Sequence, residues 1–378
     1  MFAVFRKRPR NLNVLIILVD QLRNDMRGCH PIFDRIGRMG TLFSGMVTYA
    51  PYTLASIPAI LTGVYGQKNG VNAYYKALDF KGSECGTLQE YFLGMGFYTR
   101  ADTFRRLLIP EKGFEKVLIY DENNTDVSNR HRQILRDLNK LDKNYFAFLH
   151  HGMIHRNMVK DVIGKFGEFD EEYFGNIVKN TARYESYVRE AGEYLESIFD
   201  LVETLRLYER NLIVVCTDHG CSLGERPGER CYGVYTYDYS IRTWAYFMQK
   251  ALVPHGIEIT DQVRTIDIAP TILDVLKISP WKKYIPMQGR SLLDYMIGKE
   301  RGGREAFAET GGLEGPWPSP YEPNVRCVRT GEWKVIYNST TGAAELYNIG
   351  KDAGETENLA EKYPDVVERL MTKLESYS

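Results

Sequence analysis

The 378-residue chain carries no surplus of charge of either sign, with 48 lysines and arginines against 49 aspartates and glutamates. Binding to nucleic acid, or to an anionic membrane by charge, calls for concentrated positive residues, so neither is expected as the main partner. Long apolar runs are also missing. The longest, Val14 to Val19, falls well short of the roughly 18 residues that a membrane-spanning helix needs, so no integral membrane segment is expected. The opening MFAVFRKRPR places four positive charges after five mostly apolar residues, and a strand-like run follows instead of a signal-peptide core. That pattern predicts a solvated basic tail, no export and a cytoplasmic location. Cysteine is sparse: Cys29, Cys85, Cys216, Cys221, Cys231 and Cys327 have neither metal-finger nor disulfide-framework spacing, as in a reducing compartment. Internal repeats and low-complexity tracts are absent. The remainder, 44% hydrophobic and 26% charged, is an ordinary globular chain whose function must sit in a local site.

Val14-Leu-Ile-Ile-Leu-Val19 is rich in β-branched residues and ends in Asp20, the pattern of a central parallel strand buried on both faces. Leu212-Ile-Val-Val-Cys216 repeats it and ends in Thr217-Asp218-His219-Gly220. Two buried strands that each terminate in acidic residues direct those residues to one carboxyl edge of a sheet, where open α/β folds place their sites. Tyr145 to Leu149 predicts a third strand, running into His150, His151 and His155. Apolar residues from Tyr184 through Leu195 to Leu205 recur every three or four positions, predicting a long amphipathic helix. Strand and helix signals alternate for most of the chain, so an α/β sheet covered by helices on both faces is expected. Gly302-Gly303 marks a break. Beyond it lie strand candidates Val325 to Arg329 and Trp333 to Tyr337 and a terminal helix from Asp365. The expected division is a catalytic α/β domain over residues 1–304 and a small antiparallel-sheet subdomain with a terminal helix over 305–378.

Acidic strand ends beside a histidine suggest a divalent metal with mixed oxygen and nitrogen ligands: Asp20, Gln21, Asp218 and His219. The bland alternative is that strand-end aspartates cap the following helices. Tyr52-Thr-Leu-Ala-Ser-Ile-Pro-Ala-Ile-Leu-Thr-Gly63 places hydroxyls where a helix starts. A threonine there, facing a cation and the positive end of the helix dipole, could be a nucleophile. Equally, Thr53 or Ser56 could be a plain N-cap. The residues leave both open.

In order along the chain, Asn13-Val-Leu-Ile-Ile-Leu-Val-Asp-Gln21, Thr53 through Leu61-Thr-Gly63, Thr87-Leu-Gln-Glu-Tyr with Gly96-Phe-Tyr-Thr99, Tyr208 through Thr217-Asp-His-Gly220, Thr265-Ile-Asp-Ile-Ala-Pro-Thr271, Gly289-Arg-Ser-Leu292, Val328-Arg-Thr-Gly-Glu-Trp-Lys334, Glu345-Leu-Tyr347 and Glu355-Thr-Glu-Asn-Leu359 resemble the sulfatase family of the alkaline phosphatase superfamily. The resemblance covers nearly the whole chain. It implies that family's mixed, mostly parallel sheet and makes Asp20, Gln21, Asp218 and His219 ligands of one divalent ion, with manganese, calcium or zinc all compatible. In the family the nucleophile stands ten residues before the glycine of Leu-Thr-Gly. That position is Thr53, which would also touch the metal. Ser56, three residues later, is the rival through its Ser-x-Pro pattern. His155 matches the histidine that protonates the leaving group or binds substrate. Lys68, His151 and Arg230 are candidates for holding an anionic ester, with Tyr232 near Arg230; either His150 or His151 is expected to line the site while the other packs beneath it.

Departures from the family pattern carry mechanistic weight. Threonine cannot become the formylglycine of the usual sulfatases, so none is expected. The arginine four residues after the nucleophile is Ile57, and the lysine-tryptophan-histidine segment after Gly96-Phe-Tyr-Thr99 is Ala101-Asp-Thr-Phe-Arg-Arg106. A threonine ester has no second hydroxyl through which to collapse, so water or an acceptor alcohol must strike the central atom. That suits phosphorus. The leading expectation is a metal-dependent hydrolase or transferase of phosphate mono- or diesters through a covalent Thr53 intermediate. The alternatives are a sulfuric ester hydrolase acting on a sulfated sugar or small alcohol, and a non-catalytic member that binds anions or glycans.

Overall fold

The computed structural model describes residues 12–377; the basic segment MFAVFRKRPR lies outside them. Its β-branched and aromatic segments form strands, in chain order β1 (Asn13–Val19), β2 (Thr41–Val47), β3 (Tyr98–Thr103), β4 (Lys116–Ile119), β5 (Tyr145–His151), β6 (Asn211–Cys216), β7 (Arg242–Met248), β8 (Ile257–Ile259) and β9 (Val263–Arg264). They join in one sheet of order β4-β3-β5-β1-β6-β7-β2-β8, with β9 beside β2. Pairing is parallel except where β7 meets β6 and β2. The expected strand Val14 to Val19 is central and buried from Val14 onward, as a strand covered on both faces must be.

Alternation along β5 shows how the two faces are covered. Phe146 stacks on Phe92 of the helix Leu88–Gly94, at 4.9 Å between ring centroids. On the other face, His151 stacks on Tyr194 of the helix Ile177–Thr204. That long helix buries Tyr184, Tyr187, Val188, Ala191, Leu195, Ile198 and Val202, the stripe its sequence period foretells.

A second sheet is antiparallel, built from β10 (Ala306–Thr310), β11 (Val325–Arg329), β12 (Trp333–Asn338) and β13 (Ala343–Asn348) in that order. The terminal helix Pro364–Ser376 covers it, with Leu370 and Leu374 in one cluster with Val328, Val335 and Leu346. A buried ionic group fastens this sheet to the main one. Asp238, just before β7, meets Arg329 at 2.8 Å and Lys334 at 3.0 Å, and Lys334 meets Glu355 at 2.6 Å. Glu355 also accepts the Asp238 backbone N–H. Among the described residues no helix is long and apolar enough to cross a membrane.

Candidate active site and metal centre

Register brings the chemistry together. Val19 lies opposite His151 on β5, and Leu18 lies beside both His150 and Cys216. Asp20 and the Thr217-Asp218-His219 segment therefore leave adjacent strands at one carboxyl edge, as open parallel sheets arrange their sites. Asp20, Asp218 and His219 are fully buried, and each offers a ligand atom within 4.8 Å of the others. Gln21 turns the chain there in the left-handed region, at φ 65°. Its backbone N–H donates to Asp218 Oδ1 at 3.1 Å.

The donors fit a divalent cation. Gln21 Oε1 and Asp218 Oδ2 are buried and accept no hydrogen bond, a cost for any polar oxygen unless something positive meets it. The Gln21 amide nitrogen donates to Cys231 Sγ at 2.8 Å. His219 Nδ1 is 2.7 Å from the Gly220 carbonyl; a carbonyl only accepts, so Nδ1 carries the proton and Nε2 keeps its lone pair for the cluster. Burial opposes the Asp20 charge, yet the His150 hydrogen bond and the nearby histidines hold its carboxyl at about 2. Burial and the charge of Asp20 push Asp218 upward. Two carboxylates, an amide oxygen and one imidazole make a hard, mostly oxygen donor set.

Thr53 is the first residue of the helix Thr53–Thr62, and Tyr52 is its N-cap without any side-chain capping bond. The Thr53 hydroxyl thus has no capping role. Its Oγ1 lies 3.4 and 3.5 Å from the Asp20 oxygens and 3.2 Å from His219 Nε2. At the other end of the helix Gly63 adopts φ 69° as the C-cap, which explains the glycine of Leu-Thr-Gly. Ser56 corrects the rival expectation: it is fully buried and its hydroxyl donates back to the Tyr52 carbonyl at 2.9 Å. Its hydroxyl is engaged by its own helix, whereas that of Thr53 faces the donors.

His155 stands on the helix Met153–Met158, stacked on Phe104. Its Nδ1 meets Glu122 Oε2 at 3.0 Å and its Nε2 meets the Tyr232 hydroxyl at 3.2 Å. Burial lowers its affinity for a proton, but the Glu122 hydrogen bond and the charges of Asp20 and Glu122 outweigh burial and raise it above the ordinary histidine value. Thr53, His155 and Tyr232 line one cavity of about 520 Å³.

Three substrate-binding expectations are corrected. His151 faces away from His150 along β5, is fully buried and stacks on Tyr194, whereas His150 reaches Asp20 at 3.1 Å. Arg230 gives its guanidinium to the carbonyls of Ile163 and Phe166 and to Glu314. Lys68 is exposed on the short helix Gly66–Asn69 and is not in the cavity wall. Sequence reasoning missed Glu122, because no spacing links the loop after β4 to His155. It also missed the role of Cys231 behind Gln21.

A mixed sheet with this donor cluster at its carboxyl edge and a helix-borne hydroxyl facing the donors defines a protein of the alkaline phosphatase-like class. A family model described as Sulfatase matches residues 12–278, and one described as N-sulphoglucosamine sulphohydrolase, C-terminal, matches residues 232–378. The chain belongs to the sulfatase family. It is 27% identical over 191 residues to the choline-sulfatase of Rhizobium meliloti (strain 1021), covering 49% of this chain and 34% of that protein. With arylsulfatase K of Mus musculus it shares 25% identity over 228 residues, covering 57% and 38%. The matches thus span little more than a third of these relatives' lengths. Among solved structures, the phosphonate monoester hydrolase of Agrobacterium radiobacter superposes with a TM-score of 0.78 at 16% identity, covering 97% of this chain and 95% of that one. A 2-O GAG sulfatase gives 0.77 at 17%, covering 97% and 92%. At such identities these likenesses show the fold.

Proposed function

We propose that the chain is a metal-dependent ester hydrolase that uses Thr53 as a covalent nucleophile on phosphate esters. The supporting observation is Thr53 Oγ1 itself, released from helix capping and set 3.2 Å from His219 Nε2 and 3.4 Å from Asp20. A divalent ion held by Asp20, Gln21, Asp218 and His219 would supply positive charge that favours the ionised hydroxyl and offsets charge on the ester oxygens. The hydroxyl proton leaves to solvent water as Oγ1 bonds to phosphorus and the bond to the alcohol oxygen breaks. That oxygen takes its proton from His155 Nε2, the ring being held by Glu122. Water then attacks phosphorus, giving its proton to the now neutral His155 as the P–Oγ1 bond breaks, and Oγ1 takes a proton back from solvent water.

Thr53→Ala is expected to lower kcat on p-nitrophenyl phosphodiesters in manganese by about a thousand-fold or more, as losses of a catalytic nucleophile do. Full activity in that variant would overturn the reading. Sulfuric ester hydrolysis is the second reading, favoured by the family match over residues 12–278. Parallel assays on p-nitrophenyl sulfate decide between them.

A further inference from the structure

We propose that the alcohol released by this site is aliphatic and hydrophobic, its hydrocarbon portion seated against Tyr74, Leu78 and Leu107 beyond His155. The proposal rests on the ester-hydrolase reading above and adds to it the chemistry of the leaving group. Thr53 and His155 wall the same cavity of about 520 Å³, so whatever departs past His155 occupies the rest of it.

That remainder is unsuited to a sugar. Among the described residues of its wall no aspartate, glutamate, asparagine or glutamine stands; the polar groups are tyrosine hydroxyls, Thr53, His155 and two arginines already paired with Glu122 and Glu111, few for the several placed partners that a hydroxyl-rich ligand needs. Tyrosine, phenylalanine and leucine side chains fill their places. Two short helical turns form the mouth, Tyr74–Asp79 and Arg106–Leu108. The second follows directly on the Ala101 to Arg106 segment, where the family's polar anchors are replaced. Leu78 is 79% exposed and Leu107 54%. Large apolar side chains gathered in the open beside a reacting centre mark a surface that a ligand covers. A cationic alcohol would meet aromatic rings but also Arg105 and Arg106, and the nearby carboxylates of Glu122 and Glu111 are already taken by those arginines.

Geometry at His155 separates aliphatic from phenolic alcohols. A phenolate leaves without a proton, but an alkoxide needs one at the moment the bond breaks. Glu122 engages Nδ1 and leaves Nε2 on the cavity side, next to the Tyr232 hydroxyl.

The test is a chain-length series on the full chain loaded with manganese: butyl, hexyl and octyl phosphates and the matching sulfates, below their micelle concentrations, with choline and glucose 6-esters alongside. Full burial of one methylene gives about a four-fold gain, so half-open walls give about two-fold in kcat/KM per methylene. The double variant Leu78→Asp, Leu107→Asp is expected to flatten the series, and because both side chains are exposed it should fold. Turnover with a slope below about 1.2-fold per methylene, or a preference for glucose or choline esters, overturns the leaving-group proposal and leaves the hydrolase reading standing. If no ester is turned over, calorimetric binding of octyl and butyl phosphate to Thr53→Ala still decides. Affinity that rises with chain length and is lost in the leucine variants supports the subsite while the hydrolase reading falls. Affinity indifferent to chain length overturns both.

Discussion

Glu122 and His155 show how one side chain sets the task of another. Glu122 belongs to the turn after β4, and its carboxylate meets His155 Nδ1 at 3.0 Å. The hydrogen bond and charge favour the imidazolium over the pull of burial. A general acid acts while protonated, so activity falls as pH rises through its pKa. Glu122→Gln removes the negative charge, and deprotonation then begins at lower pH. The declining limb of kcat/KM against pH for an alkyl ester, whose alkoxide needs a proton to leave, is expected to move down in that variant, while Thr53 keeps its place. An unmoved limb would exclude His155 as the acid. Gln21 is a second case at this scale: its left-handed backbone is a conformation that non-glycine residues hold only when their surroundings compel it, and here it directs its N–H to Asp218 Oδ1.

At the scale of elements, the helix Thr53–Thr62 separates two hydroxyls that its sequence left in competition. Thr53 at its first position looks out to Asp20, and Ser56 one turn on looks back to the Tyr52 carbonyl. Ser56→Ala should cost at most about 1 kcal/mol of stability, the worth of one hydrogen bond, and leave kcat within about two-fold; urea unfolding and a rate assay check both. A collapse of turnover with an intact fold would restore Ser56 as the nucleophile. Strand and helix types were legible wherever one period dominated, as in β1, β6 and the helix Ile177–Thr204. The grouping of Asp20 with Asp218 and His219 was legible because they lie just past the ends of β1 and β6. Arg230, Lys68 and His151 were not, since a side chain's direction depends on partners distant in sequence. Arg230 is taken by carbonyls more than 60 positions upstream. His151 is turned by a strand that runs two residues past its apolar core. Strand β2 was missed because Ser44-Gly45 interrupts its apolar pattern, although the strand is buried throughout.

For the whole molecule, the joint between the two sheets is ionic. Asp238, Glu355, Arg329 and Lys334 are buried together. Burial alone would raise the Asp238 pKa, but the charges of Lys334 and Arg329 overcome this and hold it below the usual carboxylate range. Breaking such a group from one side leaves charge stranded, at about 3–5 kcal/mol. Asp238→Asn is therefore expected to lower the urea midpoint by that equivalent. Because the folded carboxyl is depressed, its contribution is present above the ordinary aspartate range and fades as pH falls below it. The difference between variant and parent should accordingly shrink in acid. A difference that persists unchanged would place the effect elsewhere.

The central position of β1 has a price during synthesis. Asn13–Val19 is made before either of its neighbours, β5, whose pairing begins at Phe146, and β6, whose pairing begins at Asn211. Until the ribosome has passed His151 this seven-residue segment without charge or proline has neither edge satisfied, and until it has passed Cys216 one edge stays open. Segments of that kind nucleate cross-β association when left open, and sheets closed by such distant partners fold slowly. The strand that carries Asp20 into the site is thus also one whose two edges wait for partners far along the chain.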